Sequence, residues 1–186
     1  MTSLHNNEKN ALLDFQQKDR QLRKHLADHP LDEEASVLDT LVYIQNLSSV
    51  LGNIKNHASA VACILARHYL EQHHEIKTYD ACQKAQGARG IDIECDLIGG
   101  GKILGEIKTT IPYGNRKLGA QQAESFKKDL ARLTSDGADH KYFFVVDSDA
   151  RREAELLIGK KGFDPFIKVI DLITDFSISN TIGRDQ

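Results

Sequence analysis

The sequence predicts an α/β domain, in which a central mixed β-sheet is flanked by helices and preceded by a helical extension. Apolar residues recur at helical spacing in the N-terminal third, whereas helical and strand-like segments alternate in the C-terminal half. Between them, at residues 90–110, two strands of alternating polarity flank three consecutive glycines. The length of 186 residues suits one compact domain, which we divide into a helical extension, 1–56, and an α/β core, 57–186.

Three helices are predicted in the N-terminal part of the chain. The first covers about 7–27, and Pro30 stops it because the residue before a proline avoids helical backbone. Asp32 is the expected cap of the second helix. The third covers about 57–73, and its nearly continuous apolar first half predicts that it is buried. The main stripe predicted for the second helix, apolar except for Gln45, consists of Leu38, Leu41, Val42, Gln45 and Leu47.

Strands and helices alternate through the rest of the predicted core. The near-continuous apolar run HKYFFVVD suits a strand buried on both faces of a sheet. The helix before it has a buried stripe that includes Phe126 and Leu130. The elements predicted in order are a strand at 75–81, the hairpin at 90–110, a helix at 120–133, a strand at 140–147, a helix to about 159, a strand at 166–172 and a tail from 177.

The hairpin carries the main concentration of chemically suggestive residues. Asp92, Glu94 and Asp96 share one face of its first strand, and Glu106 and Lys108 share one face of the second. Three glycines permit the positive φ that a tight turn requires, so the strands can pair. Paired carboxylates suit a hard cation such as Mg²⁺, and a neighbouring lysine can hold a water or offset phosphate charge. A solvated face with a cross-strand salt bridge is the alternative.

Asp96, a nine-residue spacer and then Glu106-Ile107-Lys108 resemble the core motif of the PD-(D/E)XK nuclease superfamily, which includes many restriction endonucleases. The resemblance implies a Mg²⁺-dependent phosphodiesterase with Asp96 and Glu106 as metal ligands. It also implies that the backbone carbonyl of Ile107 is a further ligand and that Lys108 positions the attacking water. Cys95 stands where the superfamily often has proline. The element order predicted over about 57–172 is similar to the α-β-β-β-α-β core of the superfamily.

Candidate DNA-binding residues follow the hairpin. Tyr113, Arg116 and Lys117 lie in a turn-rich segment, where cations can grip phosphates and an aromatic ring can pack on a sugar or base. Gln122 is similar in position to a glutamine that some nuclease families place on the helix after the lysine-bearing strand. Residues 102–161 carry 12 basic and 9 acidic side chains, whereas residues 1–98 carry 10 and 14. The sequence leaves open whether Glu71, Glu75, Asp92 or Glu94 joins the site.

Composition sets the cellular context that we expect. Three cysteines without metal-ligand spacing favour a reducing compartment, and the polar first ten residues lack the apolar core of a signal peptide. We therefore expect a cytoplasmic protein without a membrane span. The resemblance implies a Mg²⁺-dependent endonuclease of double-stranded DNA, of the type II restriction class, acting as a homodimer. The alternatives are a structure-specific repair or mobile-element nuclease and a non-catalytic DNA-binding module on the same fold.

Overall fold

The computed structural model describes residues 3–84, 90–113, 116–160 and 162–175. Within these ranges the chain is an α/β protein with a four-stranded mixed sheet and helices on both of its faces. None of the described helices is both long and apolar enough to cross a membrane. The elements in chain order are α1 (Asn6–Asp28), α2 (Val37–Leu51), α3 (Ile54–His73), β1 (Ile93–Asp96), β2 (Lys102–Lys108), α4 (Ala120–Ser135), β3 (His140–Val145), α5 (Ser148–Ile158) and β4 (Lys168–Asp171).

The sheet has the order β1-β2-β3-β4 and confirms the predicted α/β class. β1 is antiparallel to β2, and β2, β3 and β4 are mutually parallel. β3 is buried on both faces, as its apolar run predicts: Tyr142 and Phe144 pack with α3, whereas Phe143 and Val145 pack with α4 and α5. The crossover helices α4 and α5 thus cover one face of the sheet and α3 covers the other.

The strand predicted at 75–81 is not formed. Ile76 makes one isolated bridge to Leu97, after which the chain leaves the sheet. Residues 77–80 form neither helix nor strand, and a turn follows at 81–82, where the Asp80 carboxylate accepts a hydrogen bond of 3.0 Å from the Cys82 amide. β1 is therefore an edge strand, and one side of the hairpin is left open next to α1 and α3.

The start of α2 differs from the prediction. Ser36 and not Asp32 caps the helix: its Oγ accepts from the Asp39 amide at 3.1 Å, and the Asp39 carboxylate accepts from the Ser36 amide in return. The predicted apolar stripe is also not buried, since Leu38 is 68% and Leu41 51% exposed. No residue of α2, all of which the structure describes, is buried. Its main neighbour is α1, so its opposite face stays in solvent.

The first turn of α1 is anchored to α3 by a buried ion pair. Arg67 donates to Glu8 through Nε at 2.7 Å and Nη2 at 2.8 Å, and both side chains are fully buried. The Ala81 amide adds a third hydrogen bond to the same carboxylate at 3.2 Å. Loss of either charge would leave the other buried and unpaired, so this contact fixes the N-terminal helix on the core.

Candidate active site

The hairpin between β1 and β2 determines which acidic residue lies beside Glu106. Its turn is closed by a hydrogen bond of 3.0 Å from the Leu97 amide to the Gly101 carbonyl, with Gly100 and Gly101 at φ of 94° and 100°. Ile93 pairs with Gly105 in this register. Continuing the register by one residue places Asp92 opposite Glu106.

The structure does not bring Asp96 together with Glu106, unlike the predicted site. Asp96 pairs with Lys102, four residues before Glu106 on β2, a separation of about 13 Å along the strand. Its exposed carboxylate lies 3.4 Å from Lys77 Nζ. Glu94 is exposed too and forms an ion pair with Lys102. Among the acids of β1 and the residues next to it, Asp92 takes the place that was predicted for Asp96.

Asp92, Glu106 and Lys108 open into a cleft of about 980 Å³. Its floor is the open side of the hairpin, and its walls are α4 on one side and α1 with α3 on the other. Polar and charged residues dominate the lining. They are Asn7, Asn10, Ser59, Lys84, Asp92, Glu106, Lys108, Lys128, Asp129 and Arg132, together with the small or apolar residues Ala11, Ala60, Cys63, Ala81, Cys82, Gly90 and Ile107.

Glu106 is the most deeply buried acid of the cleft, with only 1% of its surface exposed. Burial raises its pKa to about 8, and the nearby carboxylates of Asp92 and Asp129 act in the same direction. A hydrogen bond with Asp92 adds to this effect, whereas the positive charge of Arg132 opposes it. Negative charge on Glu106 is therefore costly unless a cation lies next to it.

Asp92 is fixed by the backbone of the opposite strand. Its Oδ2 accepts a hydrogen bond of 2.9 Å from the Ile107 amide, beyond the last ladder pair of β1. Because the amide and carbonyl of one strand residue point to the same side, the Ile107 carbonyl also points toward this open edge. Ile107 lines the cleft, as the predicted carbonyl ligand must.

Lys108 lies on the same face of β2 as Glu106 and points toward α4. Its Nζ donates to Ser125 Oγ at 2.8 Å and forms an ion pair with Asp129. The side chain is 15% exposed, so the ammonium group is held in place at the wall of the cleft. Asp129 thus orients the lysine from the helix that covers this face of the sheet.

Arg132 links the two strands and α4. Its Nη1 donates to Glu106 Oε1 at 2.5 Å and to the Gly90 carbonyl at 2.9 Å, and its Nη2 donates to Asp129 Oδ1 at 2.9 Å. The side chain is 31% exposed. The cleft therefore combines three carboxylates, from Asp92, Glu106 and Asp129, with two cations that are paired to them.

The sequence matches no protein-family model. No curated protein and no solved structure is significantly similar to the chain either. The chemistry of this cleft must accordingly be argued from its own residues.

The four predicted DNA-binding residues lie outside the lining of the cleft. Tyr113 and Lys117 form an isolated bridge and are exposed, and Arg116 is exposed beside Asp149 of α5. Gln122 is used within the fold: its Oε1 accepts from the Gly119 amide at 2.9 Å, which caps α4, and its Nε2 donates to the Ile111 carbonyl at 3.2 Å.

Two of the acids that the sequence left open are placed elsewhere. Glu71 forms an ion pair of 2.6 Å with the buried Arg67, away from the cleft lining. Glu75 is exposed and contributes its backbone carbonyl to the Ile98 amide.

Sequence reasoning missed Asp129 and Arg132. Both residues flank the predicted buried stripe of α4. In the sequence, an Asp and an Arg at i, i+3 are most simply interpreted as a solvent-exposed ion pair on the helix surface. The available signal was their position: Asp129 precedes buried Leu130 and Arg132 precedes buried Leu133, so each lies at the margin of the face that packs on the sheet. Charged residues at such a margin can reach the polar residues of the strand below.

Proposed function

We propose that this protein is a Mg²⁺-dependent endonuclease of double-stranded DNA. The observation that carries the proposal is the cluster of Asp92, Glu106 and Lys108 at the open edge of the hairpin. These residues form the acid–spacer–Glu-x-Lys pattern of the PD-(D/E)XK superfamily, with Asp92 in place of Asp96 and a spacer of thirteen residues between Asp92 and Glu106. The parallel pairing of β2 with β3 through α4 is also compatible with a core of that kind.

The residues of the cleft fit a Mg²⁺ ion. The carboxylates of Asp92 and Glu106 lie within hydrogen-bonding reach of each other, and one of them is buried, so a divalent cation between them would offset their repulsion. No group of three or more ligating side chains is found among the described residues. Mg²⁺ does not require one, because it retains water and takes one or two carboxylates plus substrate phosphate. The Ile107 carbonyl is available as a further oxygen ligand.

Each residue has a defined task in phosphodiester hydrolysis. The bound ion would act as a Lewis acid toward the scissile phosphate and would lower the pKa of water. Asp92 and Glu106 hold it, and the Ile107 amide keeps Asp92 in place. Lys108 donates a hydrogen bond that orients the attacking water in line with the leaving oxygen. Asp129 and Ser125 keep the lysine ammonium at that position.

The cations of the cleft support a polyanionic substrate. Lys84, Lys128 and Arg132 line it beside the acidic cluster, where a phosphate backbone would pass. Tyr113, Arg116 and Lys117 remain proposed contacts to DNA outside the cleft, because they are exposed and follow the lysine-bearing strand. The type II restriction class and a homodimer stay part of the proposal, since symmetric cleavage of both strands needs two copies of the site.

A cytoplasmic location is proposed on the state of the thiols. Cys63, Cys82 and Cys95 are free. Burial raises the pKa of Cys63 to about 12 and that of Cys95 to about 11, so both stay protonated and unreactive.

Cleavage of a nucleic-acid panel tests the function directly. Purified protein is incubated with duplex, branched and single-stranded DNA, with Mg²⁺ or with EDTA, beside the variants Lys108→Met and Lys102→Met. Lys102 is the matched control, because it lies on the same strand but pairs with exposed Glu94. We expect Mg²⁺-dependent cleavage that Lys108→Met loses and Lys102→Met keeps.

The products of DNA cleavage distinguish the proposed classes of nuclease. Discrete fragments from long duplex DNA support the restriction class, and preferential cleavage of branched DNA supports the repair or mobile-element alternative. Absence of cleavage on every substrate, with salt-sensitive DNA binding retained, would reject the enzyme and leave the DNA-binding module.

A further inference from the structure

We propose that Arg132 is a built-in counter-ion that occupies the carboxylate site when no divalent cation is bound, and that it leaves Glu106 when a cation binds. The inference deepens the proposed function and rests on it for the presence of the cation. It concerns one contact, that between Arg132 Nη1 and Glu106 Oε1 at 2.5 Å.

The position of this contact makes Arg132 and a metal ion competitors. Glu106 is almost completely buried, and its side chain reaches the cleft next to Asp92. The guanidinium donates a hydrogen bond to Oε1 and therefore occupies the position from which a hard cation would coordinate the same oxygen. Two positive groups on that oxygen would repel each other, because Glu106 is buried and solvent screens its immediate surroundings less than it screens an exposed group.

The other contacts of Arg132 would allow its guanidinium to separate from Glu106. Its Nη2 remains bonded to Asp129 of the same helix, which keeps the guanidinium at the wall of the cleft. The side chain is 31% exposed and therefore borders solvent, unlike Arg67, which is fully buried between its partners. A guanidinium released from Glu106 would face the part of the cleft lined by Lys84 and Lys128, where a substrate phosphate offers a new partner.

A permanently structural ion pair is the competing explanation, and the two make opposite predictions. If the pair only holds α4 on the sheet, its removal weakens the fold and does nothing for cation binding. If Arg132 is exchangeable, its removal leaves two adjacent carboxylates without a counter-charge, and the affinity for a divalent cation rises.

The experiment measures Mn²⁺ binding at fixed pH and ionic strength, from the decrease of the free-ion EPR signal. It compares the wild-type protein with Arg132→Met, which keeps an apolar stem, and with Arg23→Met as a control. Arg23 forms an exposed i, i+4 pair with Asp19 on α1, so its removal breaks an ion pair outside the cleft. We expect the Kd of Arg132→Met to fall by about tenfold, since a neighbouring opposite charge changes a carboxylate's proton affinity by about tenfold or more and a divalent cation responds to the same charge. Arg23→Met should bind as the wild type does.

An unchanged or higher Kd in folded Arg132→Met overturns the inference. If that variant does not fold by circular dichroism, Arg132→Lys replaces it, with a smaller decrease in Kd expected. Failure of both to fold would show that the pair is permanently required, which also contradicts exchange. Tighter Mn²⁺ binding without any cleavage of nucleic acid would support the inference and reject the nuclease, whereas Mg²⁺-dependent cleavage without tighter binding would reject the inference alone.

Discussion

The protonation state of a single residue, Glu106, links the stability of the protein to its proposed chemistry. Burial and two neighbouring carboxylates raise its pKa to about 8, above its ordinary value of 4.5. The folded state therefore binds a proton that the unfolded state releases between these pH values. The stability from this group is complete below about pH 4.5 and is lost as the pH rises through about 8. The proposed metal ligand Glu106 is therefore a residue whose ionisation destabilises the metal-free fold.

Glu106→Gln should therefore stabilise the metal-free protein in a pH-dependent way. We expect its free energy of unfolding in EDTA to exceed that of the wild type by about 1–3 kcal/mol at pH 8, and to be nearly equal at pH 5. Urea denaturation at both pH values measures it. Glu94→Gln, at an exposed position of the same hairpin, should show almost no effect at either pH. A loss of stability at pH 8 that is absent at pH 5 would mean that the ion pair with Arg132 more than offsets the cost of burying the Glu106 carboxylate, contrary to this account.

At the scale of elements, the hairpin shows how far the sequence determined the site. The two strands, their faces and the glycine turn were predicted and are found. The register was not, because Asp92, Glu94 and Asp96 share one face. A turn centred on Gly99, Gly100 or Gly101 would place Asp92, Glu94 or Asp96, respectively, opposite Glu106, and all three alternatives keep the apolar residues buried. The structure has the first of these, with the Leu97–Gly101 bond closing the turn.

The turn glycines should differ sharply in their tolerance of a side chain. Gly101 has φ of 100°, and a Cβ there would lie 2.8 Å from Asp139 Oδ2, which is held by the Lys102 amide. Gly99 has nothing within 4 Å of such an atom. We expect Gly101→Ala to lower the free energy of unfolding by about 1–2 kcal/mol, and Gly99→Ala to change it by less than about 0.5 kcal/mol. Urea midpoints measure both, and equal effects would contradict this description of the turn.

The long-range contacts of the whole molecule lay beyond what periodicity predicts. Helix and strand spacing gave most of the elements, because local patterns report burial on one face. Glu8 and Arg67 are 59 residues apart, and nothing in either local pattern indicates that they pair. The same holds for Asp129 and Arg132, which reach Glu106 and Lys108 only because α4 packs over β2. The contribution of α4 to the cleft could therefore be seen only in the three-dimensional structure.

The exposed apolar face of α2 is a candidate contact surface between two copies of the chain. Val37, Leu38, Leu41, Val42 and Ile44 are all exposed on it, and burial of each would stabilise an interface by about 1 kcal/mol. A second copy of the chain is the partner that the proposed function favours, because a symmetric dimer presents one copy of the site to each strand of a duplex.

The wild-type protein should be a dimer at micromolar concentration, and Leu41→Glu combined with Ile44→Glu should make it monomeric. Size-exclusion chromatography with light scattering measures the mass. Leu156→Glu, which changes an exposed leucine of α5, is the control and should leave the dimer intact. A monomeric wild-type protein would rule out α2 as a contact between copies.

Side-by-side assay of Asp92→Asn and Asp96→Asn for Mg²⁺-dependent DNA cleavage tests the central claim most directly. The two substitutions are chemically identical and lie four residues apart in the same segment. Loss of a metal ligand removes several kcal/mol of transition-state stabilisation, so we predict that Asp92→Asn cleaves at least about a hundredfold more slowly than the wild type. Asp96→Asn should cleave within about twofold of the wild-type rate, because its exposed carboxylate forms a surface ion pair with Lys77 and lies away from Glu106. Full activity in Asp92→Asn together with loss of activity in Asp96→Asn would contradict the site described.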